Sequence, residues 1–340
     1  MFRLDDAWVF SASDLVGQME CDHRTRLTLA TKLGLLTVEQ AEPDGMLVLA
    51  AGHGEAHENR VLEQLKADGL DVVEIPSPSV HDRAAVEAAR DATVEAMRRG
   101  ADVVYQALFF DGDFFGKADF VRRVGGDAEA GWQYEVWDTK LARSAKPGAL
   151  LQLAAYSEQV AKAGFGSPTQ MHVWLGSGEE SDHDVDDVMP TLVKVRDDLR
   201  GLLAQAAEVP APLWGDARAA CGRCSFAAFC AEGREEARDL SLVANIRGSQ
   251  RRALMEAGVT TVEDLAALGA DDRPKGIAAP VFERLVAQAR LQAAQHASRS
   301  TEHPDGVVSF EVFDHAGLVA LPPASPGDVW FDMEGDPFAE

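Results

Sequence analysis

Tyr134, Val136, Asp138 and Lys140 fall on alternate positions of a run rich in aromatic and β-branched residues. A period of two predicts a strand, and it sets an acid and a base, Asp138 and Lys140, side by side on one face. Upstream, residues 101–110 predict a strand that turns at Asp111-Gly112-Asp113 into a second, 114–123, with Asp119 near its centre. The Asp138 strand follows Gly125-Gly126. Neighbouring antiparallel strands would bring Asp119 and Asp138 close enough to share one divalent cation. Neither aspartate suits the middle of an apolar strand. Asp-x-Lys alone is short and common, and two edge-strand acids neutralised by Lys140 would give the same letters.

Helical spacing governs the segments around these strands. After Ser11-Ala12-Ser13-Asp14, a cap-like tetrad, residues 7–40 read as helical, with Leu15, Met19, His23 and Leu27 recurring and Cys21 inside the run. Residues 50–65 predict a second amphipathic helix that carries His53 and His57 on one face, a spacing suited either to a metal or to a surface pair. A short strand at 71–76 and a helix at 82–99 follow. Pro147 and Gly148 close a loop before a helix at 150–163, where Gln152 and Tyr156 lie four apart and so share a face. A strand at 171–175 and a helix at 189–208 complete an α/β pattern, a mixed sheet with helices packed on it.

The last third is mainly helical. Residues 243–265 read as helix, glycine-containing turn, helix, with Arg247, Arg251 and Arg252 nearby; residues 280–298 form an Ala-rich helix. Residues 307–313 and 328–332 are strand-like, and Asp332 and Glu334 alternate at the end.

Composition narrows the partners. The 340 residues are 46% hydrophobic, enough for two or three domains with a substantial core. No apolar run reaches the length of a membrane span, and Met1-Phe2-Arg3-Leu4-Asp5-Asp6 lacks the basic-then-apolar layout of a signal peptide, so a cytoplasmic location is expected. A formal net charge of −24 disfavours a broad phosphate-binding surface. Much of that acidity is local, however, in the surface-like runs 179–187 and 232–239. Arg122, Arg123, Arg143 and Lys146 stand near the Asp-x-Lys stretch instead.

All four cysteines enter one pattern: Cys21, then Cys221, Cys224 and Cys230 in a C-x2-C-x5-C cluster. In a chain with no secretory signal this spacing implies a metal rather than disulfides. Zinc and a [4Fe–4S] cluster both take four thiolates, and Cys21 can be the fourth only if the fold carries it back to residue 221.

An Asp strand, then Asp-x-Lys on the next strand, then a helix opening Gln152…Tyr156, resembles the PD-(D/E)XK nucleases, specifically their RecB-like branch. The Gly-x-x-His-Glu run ahead of them resembles the first motif of that branch, where a histidine assists the metal; His57 matches better than His53. One cysteine before the core and three after it resembles the iron–sulfur staple of Cas4-like and AddB-like nucleases. The resemblance implies a PD-(D/E)XK restriction-endonuclease-like fold, with Asp119, Asp138, Lys140, Gln152 and Tyr156 catalytic. It implies Mg²⁺ or Mn²⁺ at His57, Asp119 and Asp138, and a [4Fe–4S] cluster at Cys21, Cys221, Cys224 and Cys230, with Zn²⁺ as the alternative. The expected activity is phosphodiester hydrolysis of DNA, or of RNA, as an exonuclease on single-stranded or end-containing molecules in DNA repair or recombination. The expected partners are DNA and a helicase domain or protein.

The expected organisation is a nuclease domain at 1–235, a helical module at 236–300 similar to helix–hairpin–helix units, and at 301–340 a linker and the first strand of a truncated RNase H-like domain. Three rivals remain open. The chain could be a catalytically silent module that binds nucleic acid for a downstream helicase, a structural zinc protein, or a phosphatase acting on small esters.

Overall fold

The computed structural model describes residues 1–38, 45–205, 214, 219–314 and 316–332. It divides into two compact units, Met1–Gly233 and Arg234–Glu340.

The first unit is built on an eight-stranded mixed sheet. Strands β1 (Phe2–Leu4) and β2 (Ala7–Ser11) form a hairpin, and the sequence expectation of one helix over 7–40 is corrected here. Asp5 and Asp6 take left-handed φ of 45° and 66° to make the turn, a conformation that aspartate tolerates better than most residues. Helix α1 (Ala12–Glu20) then starts on a Ser11–Asp14 capping box, as the tetrad implied. Cys21 ends it in an extended conformation (φ −164°, ψ 105°) and itself caps α2 (Asp22–Lys32), accepting from Arg24 N at 3.4 Å. The cysteine expected inside one helix therefore stands at the joint of two.

Helix α3 (Gly45–Ala67) leads to β3 (Val72–Glu74) and α4 (Arg83–Arg98), whose buried Val86, Ala89, Thr93, Ala96 and Met97 make the stripe that packs on the sheet. Strand β4 (Val103–Phe110) runs antiparallel to β5 (Phe114–Asp127), and β5 antiparallel to β6 (Gly131–Lys140). Gly125 and Gly126, expected to lie between strands, belong to β5 and follow an irregularity in register at Arg123/Gly125. Helix α5 (Pro147–Lys162) starts at Pro147 rather than after it, the position where a missing N–H costs nothing. Strand β7 (Gln170–Leu175) returns parallel to β6. The acidic run after it is not simply surface loop. Residues Glu180–Asp184 form edge strand β8, paired antiparallel with β7, and Asp186 and Asp187 lie in the first turn of α6 (Val185–Ala204), where their charge suits the helix dipole.

Tyr134 of β6 is fully buried, with its hydroxyl 2.7 Å from Ala101 O and 3.0 Å from Met97 O. It ties β6 to the end of α4. Met97 O keeps Gly100 N as a donor at 3.1 Å, so Tyr134→Phe removes the donor chiefly from Ala101 O and is expected to cost about 1–3 kcal/mol, read as a lower urea midpoint at unchanged slope.

The second unit has its own apolar cluster, which includes Leu240, Leu254, Val262, Leu265, Phe282 and Ala289. Helices α8 (Gly248–Glu256) and α9 (Val262–Ala266) are joined through Gly258, whose φ of +84° favours glycine, and α10 (Ala279–Ala297) follows. Arg251, one of the three arginines near the turn, is buried against Asp239 at 2.8 Å, so its charge is already matched. Residues 307–313 form no strand, and Val308, Phe310 and Phe313 are exposed. Asp332 is exposed outside regular structure, and Glu334 lies outside the described residues.

Candidate active site

The pairing of β5 with β6 runs from Asp127–Gly131 to Phe120–Trp137 and goes no further. Beyond that point Asp119 supplies the acceptor that a ladder carbonyl would otherwise give: its Oδ2 takes Thr139 N at 3.3 Å and Thr139 Oγ1 at 3.4 Å. The parting strands leave room for two carboxyl groups where a continuous ladder would place one pleat against another. Asp138 is 8% exposed, and its Oδ2 meets Lys140 Nζ at 2.5 Å in an ion pair. The expected neighbourhood of Asp119, Asp138 and Lys140 is present.

Electrostatics agree with the geometry. Burial pushes the Asp119 carboxyl well above the usual carboxylate range; its hydrogen bond with Asp138, the Asp138 charge and the Glu58 charge push the same way, and the Lys140 charge opposes them. An acid so placed is held against ionisation until positive charge arrives. Tyr156, on α5, has its hydroxyl pushed upward, first by burial and then by the charges of Asp119 and Asp138, which sets it beside both. Gln152, one turn earlier, lines with Lys140 a cavity of about 390 Å³.

Glu58 is the residue that sequence reasoning missed. Its Oε1 accepts from Tyr105 Oη at 2.9 Å and Gln106 Nε2 at 2.6 Å, and its charge reaches Asp119. Gln106 adopts a left-handed φ of 54° opposite Asp119, in the gap between the pairs Tyr105–Phe120 and Ala107–Ala118. A non-glycine residue held there stores strain of about 1–3 kcal/mol, and such strain collects at functional sites. The missed signal was helical: Glu58, Leu62 and Leu65 recur at i, i+4, i+7, and both leucines are buried, so a glutamate occupies an apolar stripe. His57, its neighbour, is buried with Nε2 3.4 Å from Trp174 O, whereas His53 is exposed.

Glu135, which strand alternation puts on the other face from Asp138, contacts His172 Nε2 at 3.1 Å instead. Among the described residues, His172, Glu180 and Asp182 form a further group whose ligand atoms come within 4.8 Å of one another; His172 Nδ1 is 2.7 Å from Asp182 Oδ1.

The segments that carry the cysteines pack against each other. Leu27 of α2, the helix that Cys21 caps, packs in one apolar cluster with Phe226 and Cys230, and Cys224, Trp214 and Phe229 surround them. Cys221 and Cys224 lie in and just after the 3-10 turn Ala219–Arg223, with Cys224 N bonded to Cys221 O at 3.1 Å, and Cys230 lies in α7 (Ala227–Glu236). The fold thus carries the first cysteine's helix onto the segment of the other three. Thiols on two segments that pack through apolar side chains are the chemistry that zinc and an iron–sulfur cluster take as ligands.

The model of the PD-(D/E)XK nuclease superfamily matches residues 48–231, which contain the parted strands, both aspartates, Lys140 and α5. The chain belongs to the PD-(D/E)XK nuclease superfamily. The mixed sheet flanked by helices is the fold of that superfamily, whose members are metal-dependent hydrolases of phosphodiester bonds in nucleic acids. The solved structure of SSO0001 is similar at 13% identity over 67% of this chain and 88% of its own, with a TM-score of 0.28, too loose a likeness to carry an argument. No curated protein matches the chain. Among the described residues, no helix is long and apolar enough to cross a membrane.

Proposed function

We propose that this PD-(D/E)XK nuclease is of the RecB-like branch and hydrolyses DNA as an exonuclease on single strands or ends, in repair or recombination. The observation that carries the reading is the crowding of Asp119 against Asp138, with Lys140 as the adjoining cation and Glu58 behind. Two buried carboxyl groups side by side, with Asp119 held above its ordinary range by burial and by its neighbour, are a site prepared for a divalent cation.

In this reading Asp119 and Asp138 hold Mg²⁺ or Mn²⁺, with Glu58 or His57 contributing from α3. The bound cation supplies polarisation of a phosphate oxygen and a lowered pKa for its water. Lys140, drawn to Asp138, orients the attacking water and offers its ammonium to the charge that develops on the phosphate. Gln152 and Tyr156, one helical turn apart on α5, position the strand. Cys21, Cys221, Cys224 and Cys230 hold a [4Fe–4S] cluster that pins the two ends of the nuclease unit; the packing of Leu27 on Phe226 and Cys230 supports it.

The test is anaerobic purification, metal analysis and incubation with end-labelled single- and double-stranded DNA. Degradation is expected with Mn²⁺ or Mg²⁺ and none in EDTA, with about four irons per chain and little zinc. DNA retention without cleavage under every metal condition would turn the reading to a silent binding module. Cleavage of small phosphate esters alone would turn it to a phosphatase.

A further inference from the structure

The cavity that opens beside Lys140 and Gln152 has a lining out of keeping with the rest of the chain. Its lining also carries Arg24 of α2, Lys146 at the start of α5 and Arg223 of the 3-10 turn, against one carboxylate, Glu20. Glu20 is 3.5 Å from Arg24 and so offsets that charge. Lys146 and Arg223 are both exposed and have no ion pair among the described residues. In a protein of formal net charge −24, two unmatched cations facing one groove are a local reversal of sign. The amino end of α5, with Gly148 and Ala149 in the lining, opens on the same space and adds its partial positive charge.

We infer that Arg223 and Lys146, with Arg24 beside them, form a binding groove for the phosphates of a single-stranded polynucleotide that leads away from Lys140. The inference rests on the nuclease reading and extends it to the substrate. The cavity of about 390 Å³ lies at the lower end of the roughly 300–1,000 Å³ typical of ligand clefts, enough for a nucleotide unit and too open to hold a small phosphate by enclosure. A backbone threaded through it meets Lys140 at the reacting phosphate and the two free cations on neighbouring ones. Arg223 stands between Cys221 and Cys224, so the cysteine turn that closes the unit also delivers a cation to the substrate path. Arginine suits that place, since its planar fork can bind two oxygens of one phosphate.

The experiment measures equilibrium binding of a fluorescent single-stranded oligonucleotide to the full chain in EDTA as NaCl is varied. Each lost phosphate contact lowers the slope of log K against log salt by about 0.7 for a single strand. Arg223→Ala and Lys146→Ala should each show that loss and the double variant about twice it. Arg223→Lys should keep the slope, and Arg143→Ala, exposed and outside the cavity lining, should match wild type. With metal, Arg223→Ala should raise KM for the oligonucleotide several-fold at nearly unchanged kcat. Wild-type binding with unchanged slopes in both single variants overturns the groove and leaves the nuclease reading standing. If the wild type binds no oligonucleotide at any salt, groove and nuclease reading fall together.

Discussion

Lys140→Ala is expected to lower the rate of DNA degradation by about 10² or more while binding of DNA in EDTA loses no more than one phosphate contact, about 0.7 in salt slope. Magnitudes of that order follow when a single preorganised donor is removed from a developing oxyanion. The geometry argues for such a loss. The Lys140 ammonium lies 2.5 Å from Asp138 and its side chain is 38% exposed, so one end of it is fixed by the site while another face remains open to substrate. An ion pair that served only to neutralise an edge strand would behave differently, because an exposed pair contributes about 0–1 kcal/mol to stability and nothing to turnover. The readout is single-turnover cleavage of end-labelled DNA, with circular dichroism to show that both proteins are folded. Equal cutting by wild type and variant would mean that the nuclease activity comes from a contaminant or from a different centre. Arginine at the same place should not restore the rate, since a planar fork cannot take the place of a compact ammonium beside Asp138.

The strands of this site were readable because a period of two with aromatic and β-branched residues is a strong signal, and because aspartates in the middle of such strands demand a reason. What was not readable depended on tertiary pairing or on a turn. The break at Cys21 has no glycine or proline to announce it; a thiol replaces the usual hydroxyl or carboxylate as the cap of α2. The β1–β2 hairpin is short, and its second strand, Ala7–Ser11, falls inside the segment read as helical, which becomes helix only at Ala12. Residues 180–184 look like a solvated acidic run, and they are solvated, but the backbone still pairs with β7 because an edge strand can carry charge on its open side. Residues 307–313 have strand composition and no partner among the described residues, and without a partner β propensity alone makes no strand. Glu58 escaped for a related reason. The motif at this position is carried by its neighbour His57, whereas the helical stripe that ends in Leu62 and Leu65 marks the glutamate.

Asp119→Asn should abolish hydrolysis and, at neutral pH in EDTA, make the protein more stable. The carboxyl of Asp119 sits above its ordinary range in the folded state because burial, Asp138 and Glu58 all oppose its charge. In the unfolded chain it titrates near its ordinary value of about 3.9. Between the two values the folded state holds the proton and the unfolded state does not. Stability contributed by that proton is full below the unfolded value and is lost as pH rises toward the folded one. An amide of the same shape keeps an acceptor for Thr139 and carries no charge to bury, so the gap between variant and wild type should open as pH climbs through that window and stay open above it. A gain of about 1–3 kcal/mol is the scale expected for relieving one poorly compensated buried polar group, some degrees in Tm for a unit of this size. Mn²⁺ should reverse the order: it raises the melting temperature of the wild type by binding the folded state and leaves the asparagine protein nearly unmoved. A variant less stable than wild type in EDTA, with both equally raised by Mn²⁺, would show that Asp119 is a structural acid and that the cation binds elsewhere, with His172, Glu180 and Asp182 the next group to examine.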